Sequence, residues 1–370
     1  MMNATTFVGL DVHARSIKAA ALNVMTGEVA NASFGYDHAA LADWLRTLAQ
    51  PVKCVYESGV TGFDLQKKLS ALGVDCVVGA VSKMIKPAAD RRRKNDRNDA
   101  AFLARMLSVG NVVEVWVPDD GCEAARDLAR ALEDAREEAA RSKQLMSKFL
   151  LRHGHVFDEL TPTGRRKKNW TAAYWAWARS ITFAEEADNE AYAYYVDRVK
   201  AACEEKARLE KLVAAEASKP RWKRRVDSLR CLKGVDVATA SDLVFEAGEF
   251  SRFGSARSFA AWVGLVPSEH SSGESARKGG VTKAGNGHLR RALVESSWHY
   301  LGCSAHPKEL APGQAPDPAA RRHAAKGVRR LVERRGALLD RGVQKNKANV
   351  ATARELACWA WAVGLMAEEA

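Results

Sequence analysis

TFVGLD at residues 6–11, IKAAALNV at 17–24 and VANASF at 29–34, the last two joined by the turn Met25-Thr26-Gly27-Glu28, open the chain. Short apolar runs bounded by turn residues read as strands, so the chain begins with a three-stranded meander. Outward from it the period changes. His38–Leu48 carries a helical repeat that stops before Pro51, VKCVY at 52–56 is a fourth strand, 63–72 a helix closed by Gly73, and 74–78 a fifth strand. Helix resumes in DRNDAAFLARML, from Asp96 to Leu107.

A meander followed by alternating helix and strand is the order of an RNase H-like α/β fold. From about Gly121 to Phe157, and again from Glu185 to Ala217, the pattern is long and helical. Tyr192, Val196, Val199, Leu209 and Leu212 are spaced for one narrow apolar seam, as in an antiparallel coiled-coil arm or dimerisation surface. The link between these helices, GRRKKNWTAAYWAWAR, has aromatic rings that can pack a helix or stack on bases, and packing is the better reading. From Val226 onward short helices, a Gly/Ser-rich segment at 268–287, a Pro-rich loop at 305–318 and further helices predict a mostly α-helical region. The expected division is 1–118, with a closing helix that could run to about 150, then an arm at 119–225 and a C-terminal domain at 226–370.

Composition narrows the function. With 47% hydrophobic residues the chain is neither disordered nor membrane-embedded, and no stretch reaches the roughly 18 uninterrupted apolar residues that span a bilayer. The N-terminus has no charged segment leading into an apolar one, and the seven cysteines show no C-x-x-C spacing. Zinc is therefore not expected, and a reducing, cytoplasmic setting is. The net charge of +12 points to a polyanionic partner. Its clusters are Arg91, Arg92, Arg93 and Lys94; Arg165, Arg166, Lys167 and Lys168; RWKRR at 221–225; and pairs at 290–291, 321–322 and 329–330.

Asp11 ends the first strand and Glu57 the fourth, while Asp96 and Asp99 lie three apart at a helix start, about 5–6 Å from each other on one face. A lone acid in such a place is ordinarily a cap or a solvated side chain, and Asp96 is placed to cap. Together the four would repel one another unless cations neutralised them. Carboxylate oxygens favour Mg2+ or Mn2+, and two such ions would stabilise both oxygens of a phosphoryl transfer.

The motifs VGLDVH, VYESG and KNDRNDA resemble the RuvC-like DEDD domain of the IS110 family of insertion-sequence transposases. LRCLKGVDVATASDLVFEAGEFSRFGSARSFAAWVGLVP at 229–267 and PSEHSSGESARKGGVTKAGNGHLRRALVESSW at 267–298 resemble its C-terminal domain. The likeness covers nearly the whole chain. It implies that Asp11, Glu57, Asp96 and Asp99 hold the metal ions, and that a serine of the second domain is the nucleophile. It also implies a structured non-coding guide (bridge) RNA that pairs with donor and target DNA. A homodimer is expected, rising to a tetramer on synapsed DNA, in a bacterial cytoplasm at the nucleoid.

In PSEHSSG, composition alone gives the serines turn roles. The resemblance places the nucleophile at the first serine of S-S/T-G, Ser271, with Ser272 as fallback. Lys278, Lys283, Asn286 and Arg290 stand among glycines that permit close approach to phosphate. KGVDVATA at 233–240 resembles a helix-hairpin-helix turn, but Asp236 replaces the second glycine, so it reads as structural. Two other functions compete with the recombinase: a junction resolvase using metal-activated water, and a silent nucleic-acid-binding protein. The carboxylate set argues against the second, the long Ser/Gly/Lys/Arg region against the first.

Overall fold

A computed structural model describes residues 4–80, 96–272 and 275–369; the Arg91–Lys94 cluster lies outside them. The chain divides into two compact units, Met1–Pro118 and Asp119–Ala370.

The first unit is built on β1 (Thr6–Val12), β2 (Ser16–Asn23), β3 (Val29–Gly35), β4 (Val52–Glu57) and β5 (Asp75–Gly79), in the order β3-β2-β1-β4-β5. The meander pairs antiparallel, and β1, β4 and β5 run parallel. This mixed α/β sheet fits an RNase H-like domain, as the sequence predicts. Alternation assigns the faces. Val8, Leu10, Cys54 and Tyr56 point to one side, where α1 (His38–Thr47) and α2 (Asp64–Ala71) cover them with Leu41, Leu45, Leu65 and Leu69. Asp37 caps α1 by accepting from the amides of Ala39 and Ala40, both at 3.0 Å. Phe7 and Val55 point to the other side, against Phe102, Leu103 and Leu107 of α3 (Asp96–Ser108). Gly9 lies on that face, where a Cβ would stand 1.9 Å from the Ala100 carbonyl oxygen. Only glycine admits α3 so close.

In the second unit α4 (Asp120–Arg152) and α6 (Glu186–Ala217) pack together. Their bridges join Glu138 to Arg198, Arg136 to Glu210 and His153 to Asp188, residue numbers that rise on one helix as they fall on the other, so the pair is antiparallel. Tyr192, Val199, Leu209 and Val213 form the buried seam. Leu212, predicted to belong to it, is 41% exposed. Val213 stands fourteen residues from Val199, two full heptads, and takes the inward position instead. The aromatic link does pack: Trp170, Tyr174 and Trp177, the last two on α5 (Ala172–Arg179), join Phe149, Phe157 and Tyr192 in one cluster.

The remaining helices are α7 (Pro220–Leu229), α8 (Val237–Ala247), α9 (Ala256–Val263), α10 (Gly287–Ser297), α11 (Pro318–Asp340) and α12 (Lys345–Glu369). Residues 240–247 of α8 are all buried, making it the centre of this body. Asp236 caps α8 through the Thr239 amide at 2.8 Å, the structural role expected of KGVDVATA. The Gly/Ser-rich segment is a two-stranded ribbon, β6 (Pro267–Ser272) with β7 (Ser275–Val281), where the sequence suggested a flexible stretch. Its alternation is polar on both faces, so no hydrophobic period announced it.

Candidate active site and nucleic-acid interface

The last paired positions of β1 and β4 are Leu10 and Tyr56, so Asp11 and Glu57 are the next residues of two neighbouring parallel strands. By alternation with Gly9 and Val55, both belong to the α3 face. Gly9 contacts Ala100, one residue beyond Asp99, so the first turns of α3 stand over the same sheet end. The backbone thus brings three of the four predicted carboxylate positions to one corner. The fourth, Asp96, opens α3, and its side chain lies outside the described residues. His13 Nε2 lies 3.1 Å from Asp11 Oδ2. Lys18 is the cross-strand Cα partner of Asp11, a cation the sequence reading passed over although its register in the meander would have found it.

Among the described residues no three His, Cys, Asp or Glu side chains gather as a metal group. The donor chemistry nonetheless fits a hard divalent cation: carboxylates on adjacent strand ends and on a facing helix, without thiols.

Ser271 is opposite Ala276 and Ser272 opposite Ser275 at the tip of the β6–β7 ribbon. The side chains of Ser271, Ser272 and Lys278 lie outside the described residues. The ribbon base is tied by backbone bonds: Thr282 donates to Val266 at 2.9 Å, Lys283 to Gly264 at 3.2 Å, and Asn286 to Trp262 at 2.9 Å. Lys283 is exposed, with φ of 55°. Asn286 and Arg290, predicted to meet nucleic acid, are engaged within the protein. Asn286 Oδ1 caps α10 through the Leu289 amide at 3.0 Å, while its Nδ2 donates to Glu246 Oε2 at 2.8 Å. Arg290 Nη1 donates to the Val263 carbonyl at 3.0 Å.

Glu246 is the group the sequence reading missed. Its buried carboxylate accepts from Arg130 at 2.7 and 3.1 Å and pairs with Arg126 at 3.2 Å. Burial alone would raise its pKa, but the Arg130 bond and the Arg126 charge hold the carboxyl below its ordinary value. The signal was one acid in the apolar run DLVFEAG: a buried charge demands a partner. Beside it His288 Nε2 stands 3.2 Å from Asp242, whose carboxylate raises the imidazole pKa. Arg291 pairs with Glu133 and Glu137 of α4.

Of the remaining predicted contacts, Arg165, Arg166 and Lys168 are exposed beside the helix pair, and Lys167 pairs with Glu159 at 2.8 Å. The run at 221–225 is spent internally: Arg221 on Asp119, Lys223 on Asp227, Arg224 on Asp317 and Arg225 on the Gly248 carbonyl.

Residues 8–154 match a DEDD transposase family, and residues 226–311 match the transposase IS116/IS110/IS902 family. The chain is 34% identical over 321 residues, 85% of itself and 75% of the relative, to "Putative transposase y4qE" of Sinorhizobium fredii. It is 30% identical over 254 residues, 67% of itself and 71% of the relative, to the transposase for insertion sequence element IS1533 of Leptospira borgpetersenii. Among the described residues no helix is long and apolar enough to cross a membrane. The DEDD match suggests use of a divalent metal, and a transposase acts on DNA. With both matched regions in the expected order and a relative covered over three quarters of its length, the chain belongs to the IS110 family of insertion-sequence transposases.

Proposed function

We propose that this transposase cuts and rejoins DNA through a covalent bond to Ser271, assisted by Mg2+ or Mn2+ held by Asp11, Glu57, Asp96 and Asp99. A structured guide RNA pairs with donor and target. The observation that carries the reading is the common corner of the β1 and β4 ends and the start of α3. The bound cation supplies charge neutralisation at the phosphoryl oxygens. The Ser271 oxygen bonds to phosphorus as one sugar–oxygen–phosphorus bond breaks. The hydroxyl proton passes to water, and the released sugar oxygen takes a proton up. Rejoining is the reverse with a different strand's hydroxyl, so the phosphodiester energy is kept. Lys278 and Lys283 on the ribbon and its base, with Arg91–Lys94 and Arg165–Lys168, supply contacts to the nucleic-acid backbone. Asn286 and Arg290 act on this surface only by holding its base.

Self-association completes the reading. Leu151, Tyr194 and Leu212 are 65%, 56% and 41% exposed on α4 and α6, apolar surface that a second copy would cover. We take the assembly as a dimer, and a tetramer on synapsed DNA.

The test is Ser271→Ala in the full chain with its guide RNA and donor and target DNA. Wild type stalled on nicked substrate should carry a DNA strand that survives denaturation; the variant should not, while binding nucleic acid as tightly within about twofold, since it loses one hydroxyl. Adduct surviving in Ser271→Ala but lost in Ser272→Ala moves the nucleophile by one residue. Cleavage without any adduct assigns the step to water, as in a resolvase.

A further inference from the structure

The structure sorts the basic clusters by whether they are already neutralised. On α11, Arg330 and Arg334 pair with Glu355 at 3.0 and 2.6 Å. Arg321, Arg322, Lys326 and Arg329 of the same helix are exposed, with no carboxylate at ion-pair distance among the described residues. Arg322, Lys326 and Arg329 follow the i, i+4, i+7 rule, so they share a stripe rising about 10.5 Å along the helix.

At the start of that stripe a cavity of about 490 Å3 opens. Its charged lining is Lys308, Arg321 and Arg322, with no carboxylate; its apolar walls include Leu310, Pro316, Pro318 and Ala325. Two other cavities of this unit, about 730 and 510 Å3, are both lined by Glu133 and Glu137 as well as by Arg291, which pairs with both, so that shared cation is already spent. Lys308 donates to the Val235 carbonyl at 2.7 Å, and burial together with the Arg230 charge lowers its pKa, so an anion here would relieve an unfavourable field. The one amide in the lining is spent. Gln314 donates to the Asp227 carbonyl at 2.8 Å and accepts from the Ala311 amide at 3.0 Å. An apolar recess with no free amide reader and a cationic rim suits a base held by contact alone, without sequence readout.

We propose that this recess and stripe seat a single strand of DNA, one unstacked base resting on the proline and leucine walls while its phosphates meet Arg321, Arg322, Lys326 and Arg329. A duplex keeps its bases stacked inside and would leave the recess empty. The cations of the stripe can meet successive phosphates of one extended strand. DNA is chosen because it is the substrate of a transposase. The proposal rests on that substrate and not on the serine chemistry, so it stands or falls independently of Ser271.

The test is fluorescence anisotropy of the full-length protein across a salt series, with a labelled single-stranded DNA, its duplex, and RNA of the same sequence. Arg321→Gln/Arg322→Gln/Arg329→Gln should lower the salt slope for the single strand by about 2, from three lost contacts at about 0.7 each. Arg330→Gln, on the same helix but paired with Glu355, should leave it unchanged. Ala325→Phe should fill the recess and weaken single-strand binding about fivefold or more, with duplex binding within about twofold of wild type. The three arginines are exposed, so the triple variant tests the proposal even where Ala325→Phe fails to fold. A triple-variant slope no different from that of Arg330→Gln overturns the stripe. Equal loss on the duplex, or a larger loss on RNA, overturns the single DNA strand as occupant.

Discussion

Glu246→Gln isolates the charge that ties α8 to α4 and α10. The carboxylate side chain is 0% exposed, Arg126 is 14% exposed, and Arg130 is 49% exposed. Removing the negative charge strands Arg126 in a buried setting, whereas Arg130 can turn to water. Breaking a buried pair by removing one partner costs about 3–5 kcal/mol. With one guanidinium stranded, and a glutamine oxygen still able to accept from Asn286, the low end applies, about 3 kcal/mol. At roughly 2–4 °C per kcal/mol for a unit of this size, the melting temperature should fall by about 6–12 °C. Calorimetry on the full chain reads it, and Glu246→Gln/Arg126→Met, which removes the stranded charge, should recover part of the loss. The pH dependence has a definite sign. Glu246 is held below its ordinary pKa, so its stabilisation is present above about pH 4.3 and is lost as pH falls through the lower folded value. The glutamine variant should be flat there. Recombination should drop as well, because Asn286, which leans on Glu246, caps the helix that follows the serine ribbon. A variant melting within about 2 °C of wild type, or a double variant less stable than the single one, would refute the stranded-charge argument.

Asp11→Asn and Asp99→Asn should each abolish recombination while metal-free melting stays equal or rises, since carboxylate repulsion is relieved; near-wild-type recombination removes that residue from the site. Gly9→Ala places a methyl 1.9 Å from the Ala100 oxygen. It should cost about 1–3 kcal/mol or more by pushing α3 off the sheet, and melting at the wild-type temperature would contradict this. His288, raised by Asp242, contributes stability that is complete below about pH 6.5 and is lost as pH rises through its folded pKa. The melting advantage of wild type over His288→Gln should therefore shrink toward alkaline pH, and an advantage that stays constant with pH removes the pair as its source.

The first unit was legible because its central strands β1 and β4 are apolar on both faces and its turns are marked. Predicted 6–11 and 52–56 became Thr6–Val12 and Val52–Glu57, and with them came the positions of Asp11 and Glu57. The charged clusters were not legible in the same way. RWKRR and RR at 290–291 look as basic as RR at 321–322, yet the first is consumed by Asp119, Asp227 and Asp317, and the second by Val263, Glu133 and Glu137. Those acids lie far off in sequence, so only the fold distinguishes a spent cation from an available one. The same holds for Glu246, whose arginine partners are 116 and 120 residues away, and for the ribbon around Ser271, whose polar alternation carries no burial signal.

The two candidate reaction centres are positioned by one device. A two-stranded ribbon has no core and is marginal alone, so the backbone bonds described at its base are what would hold Ser271. There the backbones meet at glycines: a Cβ on Gly285, at φ of +109°, would stand 2.0 Å from the Trp262 oxygen, and one on Gly264, at φ of +79°, 2.4 Å from the Ala284 oxygen. At the carboxylates, Gly9 admits the α3 backbone in the same way. Side-chain packing gives a few tenths of an ångström of slack as rotamers adjust, whereas backbone against backbone gives almost none. A phosphoryl-transfer site tolerates little misplacement of its reacting groups. If the carboxylates and Ser271 are the reacting groups, glycine contacts near the carboxylates and at the ribbon base would supply that rigidity without occupying the space the DNA needs.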